Sequence, residues 1–163
     1  MATVGLVAMP IEPFALTGTH VRLEPLDRDH AAELARAGAI DRTSYTYTPV
    51  PDGLADAERY IDWLLTDRDR GLVVPFAQRR LDTGELVGCT RYLELRHWRG
   101  RATPDEVEIG GTWLAASVRA HRPQCVCVEL IRVARGRPRH KRGQWRRATS
   151  PSRTAGHSAV MIE

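Results

Sequence analysis

Lysine is almost absent from this chain of 163 residues. Of its 24 basic side chains all but Lys141 are arginine. That ratio says nothing about fold. It marks a GC-rich coding sequence, because most arginine codons are GC-rich and both lysine codons are A-rich. Cysteine is scarce and odd in number, with Cys89, Cys125 and Cys127 alone. Such a set argues against a disulfide framework and fits reduced thiols. The C-x-C spacing of Cys125 and Cys127 is not a zinc spacing, so His121 and His140 nearby do not complete a metal site. No metal is expected. No apolar run approaches the roughly 18 residues that cross a bilayer. No basic side chain precedes Arg22, so the patterns of a signal or transit peptide are missing. The expectation is a cytoplasmic protein with no membrane contact.

What is present fits one globular unit. The hydrophobic fraction of 42 % rules out wholesale disorder. The length allows one compact domain and is short for two. Charge divides sharply along it. Residues 1–120 hold 14 Arg against 18 Asp and Glu, a net of −4. Residues 121–163 hold nine Arg and Lys141 against Glu129 and Glu163, a net of +8. An asymmetry of this kind ordinarily suggests a basic arm for nucleic acid or a membrane surface.

The apolar pattern gives an order of elements. Residues 19–26 alternate Val21, Leu23 and Leu26 with Arg22 and Glu24, as a strand does. Asp27 or Asp29 can cap a helix whose inward face is Ala31, Leu34, Ala35 and Gly38. A turn-rich loop over 41–53 carries Tyr45 and Tyr47. Leu54, Ala57, Ile61, Leu64 and Leu65 form one stripe of a second helix. Val73–Arg80 and Leu86–Leu95 read as strands joined by the turn Leu81–Glu85, with Gly84 free to take a positive φ. Cys89 falls inside the second of these, where a buried, inert thiol is the expectation. Glu106–Ala115 is a further strand. Strict alternation sets Val107, Ile109, Gly111 and Trp113 on one face and Glu106, Glu108, Gly110 and Thr112 on the other. From Arg135 onward no apolar period remains.

Three segments together resemble the GNAT superfamily of acetyl-CoA-dependent N-acetyltransferases, in the branch similar to ribosomal-protein N-acetyltransferases. They are Thr19–Leu26, the hairpin Phe76–Arg80 with Thr83–Gly88, and Glu108-Ile109-Gly110-Gly111-Thr112-Trp113-Leu114. The resemblance covers about Leu16–Ala120. It implies an α+β fold, with a mostly antiparallel mixed sheet flanked by helices, incomplete at the C-terminus. It implies transfer of acetyl from acetyl-CoA to a primary amine, either a protein N-terminus or a small molecule. The amine must be neutral to attack, so a carboxylate or ordered water must take its proton. The matching strand makes Glu108 the first candidate for that base and Glu106 the second. Trp113 and Leu114 would offer backbone contacts to the pantetheine arm, and a backbone N–H there could stabilise the oxyanion. The acceptor pocket would include the loop around Tyr45 and Tyr47. Without the resemblance, Glu108 reads as a solvated strand carboxylate and Trp113 as a core aromatic.

The resemblance also calls for a glycine-containing pyrophosphate loop opening a helix. Arg119 and Ala120 stand at its first positions, and His121-Arg122-Pro123-Gln124 departs from it. Pro123 removes an N–H donor. Read one nucleotide forward, the codons of His121, Arg122 and Gln124 can encode Thr, Gly and Asn, which restores the loop. Residues 1–120 are therefore read as the N-terminal part of an acetyltransferase domain. Residues 121–163 are read as a basic tail, irregular or out of frame, binding nucleic acid only non-specifically. An open edge on the Glu106–Ala115 strand and an uncovered apolar face would promote association into homo-oligomers. The alternative functional readings are an inactive acetyltransferase fragment and a basic nucleic-acid-binding module.

Overall fold

The computed structural model describes residues 12–45, 48–97, 104–119 and 158–161, the last four, Ser44 and Arg119 by their backbone. The elements run β1 (Leu16–Thr17), β2 (Val21–Pro25), α1 (Ala31–Ala39), α2 (Leu54–Asp69), β3 (Val74–Arg80), β4 (Leu86–Arg96), β5 (Glu106–Leu114), α3 (Ala116–Arg119) and β6 (Ser158–Met161). The strands form one sheet in chain order, β1 to β6. Every described pair is antiparallel, so the expected mixed sheet is wholly antiparallel among the described residues.

Local chemistry explains the elements. Asp27 accepts from the Asp29 amide while His30 reaches back to the Asp27 amide, a reciprocal cap on the short 3-10 turn that leads into α1. Ala31, Leu34, Ala37 and Gly38 are the buried side of α1. In α2 the buried stripe is Ala57, Tyr60, Ile61, Leu64 and Leu65. Leu54, expected at its head, is 52 % exposed because it lies in the first turn, ahead of the stripe. Gly84 takes φ +71 in the β3–β4 turn, as the turn requires.

The sheet has an apolar cluster on each face. α1 and α2 cover one of them, where Leu34, Ile61 and Leu64 meet Ala77, Leu86, Cys89 and Trp113. The other joins Leu23, Val74, Phe76, Val87 and Leu114 to Val118 of α3. Each fully buried Leu or Ile contributes about 1.5–3 kcal/mol.

Arg79 ties three elements together on the α1 side. Its guanidinium donates to Glu24 at 2.9 Å, to Glu33 at 3.0 and 3.2 Å, and to the Gly84 carbonyl at 2.8 Å. The hydrogen bond from Arg79 holds the Glu33 carboxyl below its ordinary value. Folding therefore favours the deprotonated acid. Its contribution is full above the unfolded carboxylate value, near 4.5, and is lost as pH falls through the lower folded value. Glu33→Gln is expected to cost about 1 kcal/mol at neutral pH, the scale of a partly exposed pair. At pH 3 the difference should shrink. Urea denaturation at both pH values checks this, and an equal loss at each would contradict it.

The β4–β5 pairing departs from a straight ladder twice. The pairs Gly88 with Leu114 and Cys89 with Trp113 give way to Arg91 with Gly110, Tyr92 with Ile109 and Leu93 with Glu108. The first register returns at Arg96 with Glu106. The upper bulge places its extra residue on β5, where Gly111 takes φ +57. The lower places its extra residue on β4, where Glu94 takes φ +48.

Candidate active site

The upper bulge corrects the sequence reading of β5. Strict alternation put Trp113 with Val107 and Ile109, away from Glu106 and Glu108. The extra residue at Gly111 reverses the pleat. Ile109 lies opposite Tyr92, which packs on the α3-side cluster, whereas Trp113 lies opposite Cys89 on the α2 side. Glu108, paired with Leu93, therefore shares the α2 face with Trp113. Both candidate carboxylates now stand on the face that carries the Tyr60–Trp113 core.

The two carboxylates differ in their partners. Glu106 lies 3.7 Å from the Arg96 guanidinium, and 17 % of its side chain is exposed. Glu108 is half-buried between β4 and β6, opposite Leu93 on one side and Ala159 on the other. Further along β5 Trp113 is buried, and its indole N–H donates to Tyr60 Oη at 3.4 Å. Burial pushes the Tyr60 hydroxyl well above the ordinary phenol value, so it stays protonated. Cys89 is completely buried, and burial pushes its thiol up to about 11. A thiolate is scarce there. Native protein at pH 8 is expected to leave Cys89 unlabelled by iodoacetamide, and urea should expose it. Peptide-resolved mass spectrometry reads this, and native labelling at Cys89 would contradict it.

The outer edge of β5 is divided. β6 pairs with Glu106–Ile109 only, so part of the edge expected to be open is covered. Beyond Ile109 the edge has no strand partner among the described residues. There Tyr45 donates its hydroxyl to the Leu114 carbonyl at 3.0 Å, with its ring edge-on to Trp113. Arg42 fixes the loop that carries Tyr45. It donates to the carbonyls of Gly38, Val50 and Pro51 and lies 5.9 Å from the Tyr45 ring. The Trp113 carbonyl is turned to β4, because a Cβ on Gly88 would meet it at 2.0 Å. Of the two expected backbone contacts, Leu114 thus belongs to the open edge and the Trp113 carbonyl does not.

Arg119 ends α3. Tyr47, Ala120, the loop His121–Gln124, Cys125, Cys127 and His140 lie outside the described residues. So does the basic tail, apart from Ser158–Met161. Among the described residues no group of three His, Cys, Asp or Glu could hold a metal, and no helix is long and apolar enough to cross a membrane.

Sequence reasoning missed Arg91. It lies opposite Gly110, with its guanidinium 5.0 Å from the Trp63 ring of α2. Only the doublet Gly110-Gly111, read as room for a neighbour's side chain, could have pointed to it.

The fold has counterparts among solved structures. A GCN5-related N-acetyltransferase from Brucella melitensis matches with TM-score 0.58 and 18 % identity, over 76 % of this chain and 55 % of its own. A probable acetyltransferase of the GNAT family from Chromobacterium violaceum ATCC 12472 matches with TM-score 0.55 and 23 % identity, over 82 % of this chain and 66 % of its own. The ribosomal L7/L12 α-N-protein acetyltransferase RimL in complex with coenzyme A matches with TM-score 0.57 and 11 % identity, over 75 % and 66 %. The chain spans less than two thirds of the length of each. No family model and no curated protein sequence matches it. The chain has the fold of the GNAT acetyltransferases.

Proposed function

We propose that this chain is an N-acetyltransferase that moves acetyl from acetyl-CoA to a primary amine. One observation carries the reading. Among the described residues β5 has no outer strand partner beyond Ile109, just above Glu108, so an edge open to an added strand begins beside a half-buried carboxylate. An extended amide-bearing arm such as pantetheine can pair along that edge in the manner of an added strand. RimL, of the same fold, is a protein acetyltransferase that binds coenzyme A.

The chemistry assigns the residues. The neutral amine attacks the thioester carbonyl, its N–C bond forms, and the C–S bond breaks. Glu108 takes the amine proton, and the thiolate leaves and is protonated. Glu106, already engaged by Arg96, is the weaker candidate for base. Leu114, whose carbonyl is taken by Tyr45, lends its backbone N–H to the pantetheine arm, and a backbone N–H of the same edge stabilises the oxyanion. Trp113 contributes its buried ring as the wall beside Tyr45. Arg119 would open the phosphate site. The acceptor is a protein N-terminus or a small amine, and the protein works in the cytoplasm. Calorimetry with acetyl-CoA, followed by thiol release in the presence of amines, tests the reading. Saturable binding and amine-dependent release are expected, and absence of binding would sink it.

A further inference from the structure

We infer that Arg91 is a specificity-determining residue that receives an oxyanion, carboxylate or phosphate, carried by the amine acceptor. The inference rests on the acetyltransferase reading above and goes beyond it by naming the acceptor's chemistry.

Arg91 has no counterion among the described residues. No ion pair within 4.0 Å involves its guanidinium there. Its NH1 is buried and has no hydrogen-bond partner there. Leaving a half-buried guanidinium unpaired is costly, so structures ordinarily pair one. The neighbours that could have paired it are neutral: Tyr60 and Cys89 are both held protonated by burial.

The guanidinium is nevertheless held in place. Trp63 stacks near it at 5.0 Å. Gly111 leaves it room: a Cβ there would come within 2.5 Å of Cζ, 2.7 Å of NH2 and 2.8 Å of Nε. The bulge that turns Trp113 to the α2 face therefore also seats Arg91. A planar fork fixed this way matches the two oxygens of a carboxylate or phosphate.

Its position relates it to the chemistry. Arg91 lies directly across from Gly110, two residues along β5 from Glu108, and both side chains stand on the α2 face. Two strand residues span about 6.6 Å. An amine brought to Glu108 would thus present an anionic group, a few bonds away, to Arg91. A plain cationic amine would leave that guanidinium unmatched.

Two pairs of acceptors test this on the full-length protein with acetyl-CoA. L-alanine and L-alaninamide differ by a carboxylate, and O-phosphoethanolamine and ethanolamine differ by a phosphate. The anionic member of one pair is expected to have at least a tenfold higher kcat/KM, and that pair identifies the oxyanion. Arg91→Met should remove the preference while changing the neutral member less than twofold. Arg91→Lys should retain part of it, and it serves alone if the Met variant does not fold. Equal rates within both pairs, or an equal loss for both members in either variant, would overturn the inference. Absence of turnover with all four amines counts against the acetyltransferase reading instead. Calorimetry with N-acetyl-L-alanine and with inorganic phosphate then decides. Binding of either that Arg91→Met abolishes upholds the anion site, and no binding of both overturns it.

Discussion

Alanine at Gly88 is expected to destabilise the fold by about 3 kcal/mol, the upper part of the range for overpacking. The added Cβ would lie 2.0 Å from the Trp113 carbonyl oxygen, 3.0 Å from its carbon and 3.1 Å from the Leu114 Cα. All three are backbone of the neighbouring strand, so no rotamer change relieves the clash. Either β4 and β5 move apart or the pairing of Gly88 with Leu114 is lost. Total stability of an ordinary domain is about 5–15 kcal/mol, so much of it goes. A fall in Tm of roughly 6–12 °C should appear in thermal melts followed by circular dichroism. Gly84→Ala is the control, since nothing lies within 4 Å of its Cβ and only the cost of φ +71 remains, about 1 kcal/mol. Equal melts for the two variants would contradict the close approach.

Glu108→Gln should lower kcat by about 10²-fold or more, the usual scale of general-base loss. The KM for acetyl-CoA should change little, because the role proposed for the carboxylate is on the amine. Raising the pH should recover part of the rate, since more acceptor then arrives already deprotonated. Glu106→Gln should cost less than about fivefold, because Arg96 engages that carboxylate at 3.7 Å. A larger effect at Glu106 than at Glu108 would exchange their roles. A Glu108 defect insensitive to pH would remove its role as base.

The strands and helices of residues 21–115 were legible because their chemistry is local, whereas the short β1, Leu16–Thr17, was not read. The stripe of α2, the Gly84 turn and the alternation of β2 depend on residues within a few positions of each other. The resemblance to acetyltransferases was carried by such segments too, and the fold agrees with it. What escaped was non-local. Strict alternation assumes a straight ladder, and two bulges break it, so Trp113 was assigned to the wrong face. The burial of Tyr60 in the α2 stripe escaped because its partner, Trp113, is 53 positions away. Arg91 has no sequence signal of its own: it is singled out by Trp63 and Gly111, from two other elements. Pairing of β5 by Ser158–Met161 was hidden as well, since that stretch lies in a region without apolar period.

The two bulges of the β4–β5 ladder have opposite sense. Each adds one residue, but to different strands, and the register above the upper one is restored below the lower. The stretch between them is thus out of phase with both ends, and Glu108 lies within it. Loss of a single residue at Gly111 would bring that stretch back into phase and turn Glu108 to the α3 side. Loss of a second residue, at Glu94, would restore agreement with the lower end. Length changes in this ladder are therefore tolerable only as matched pairs. Loss of that pair keeps the sheet while moving the carboxylate to the other face, so in descendants of this chain the fold could outlast the chemistry proposed for it.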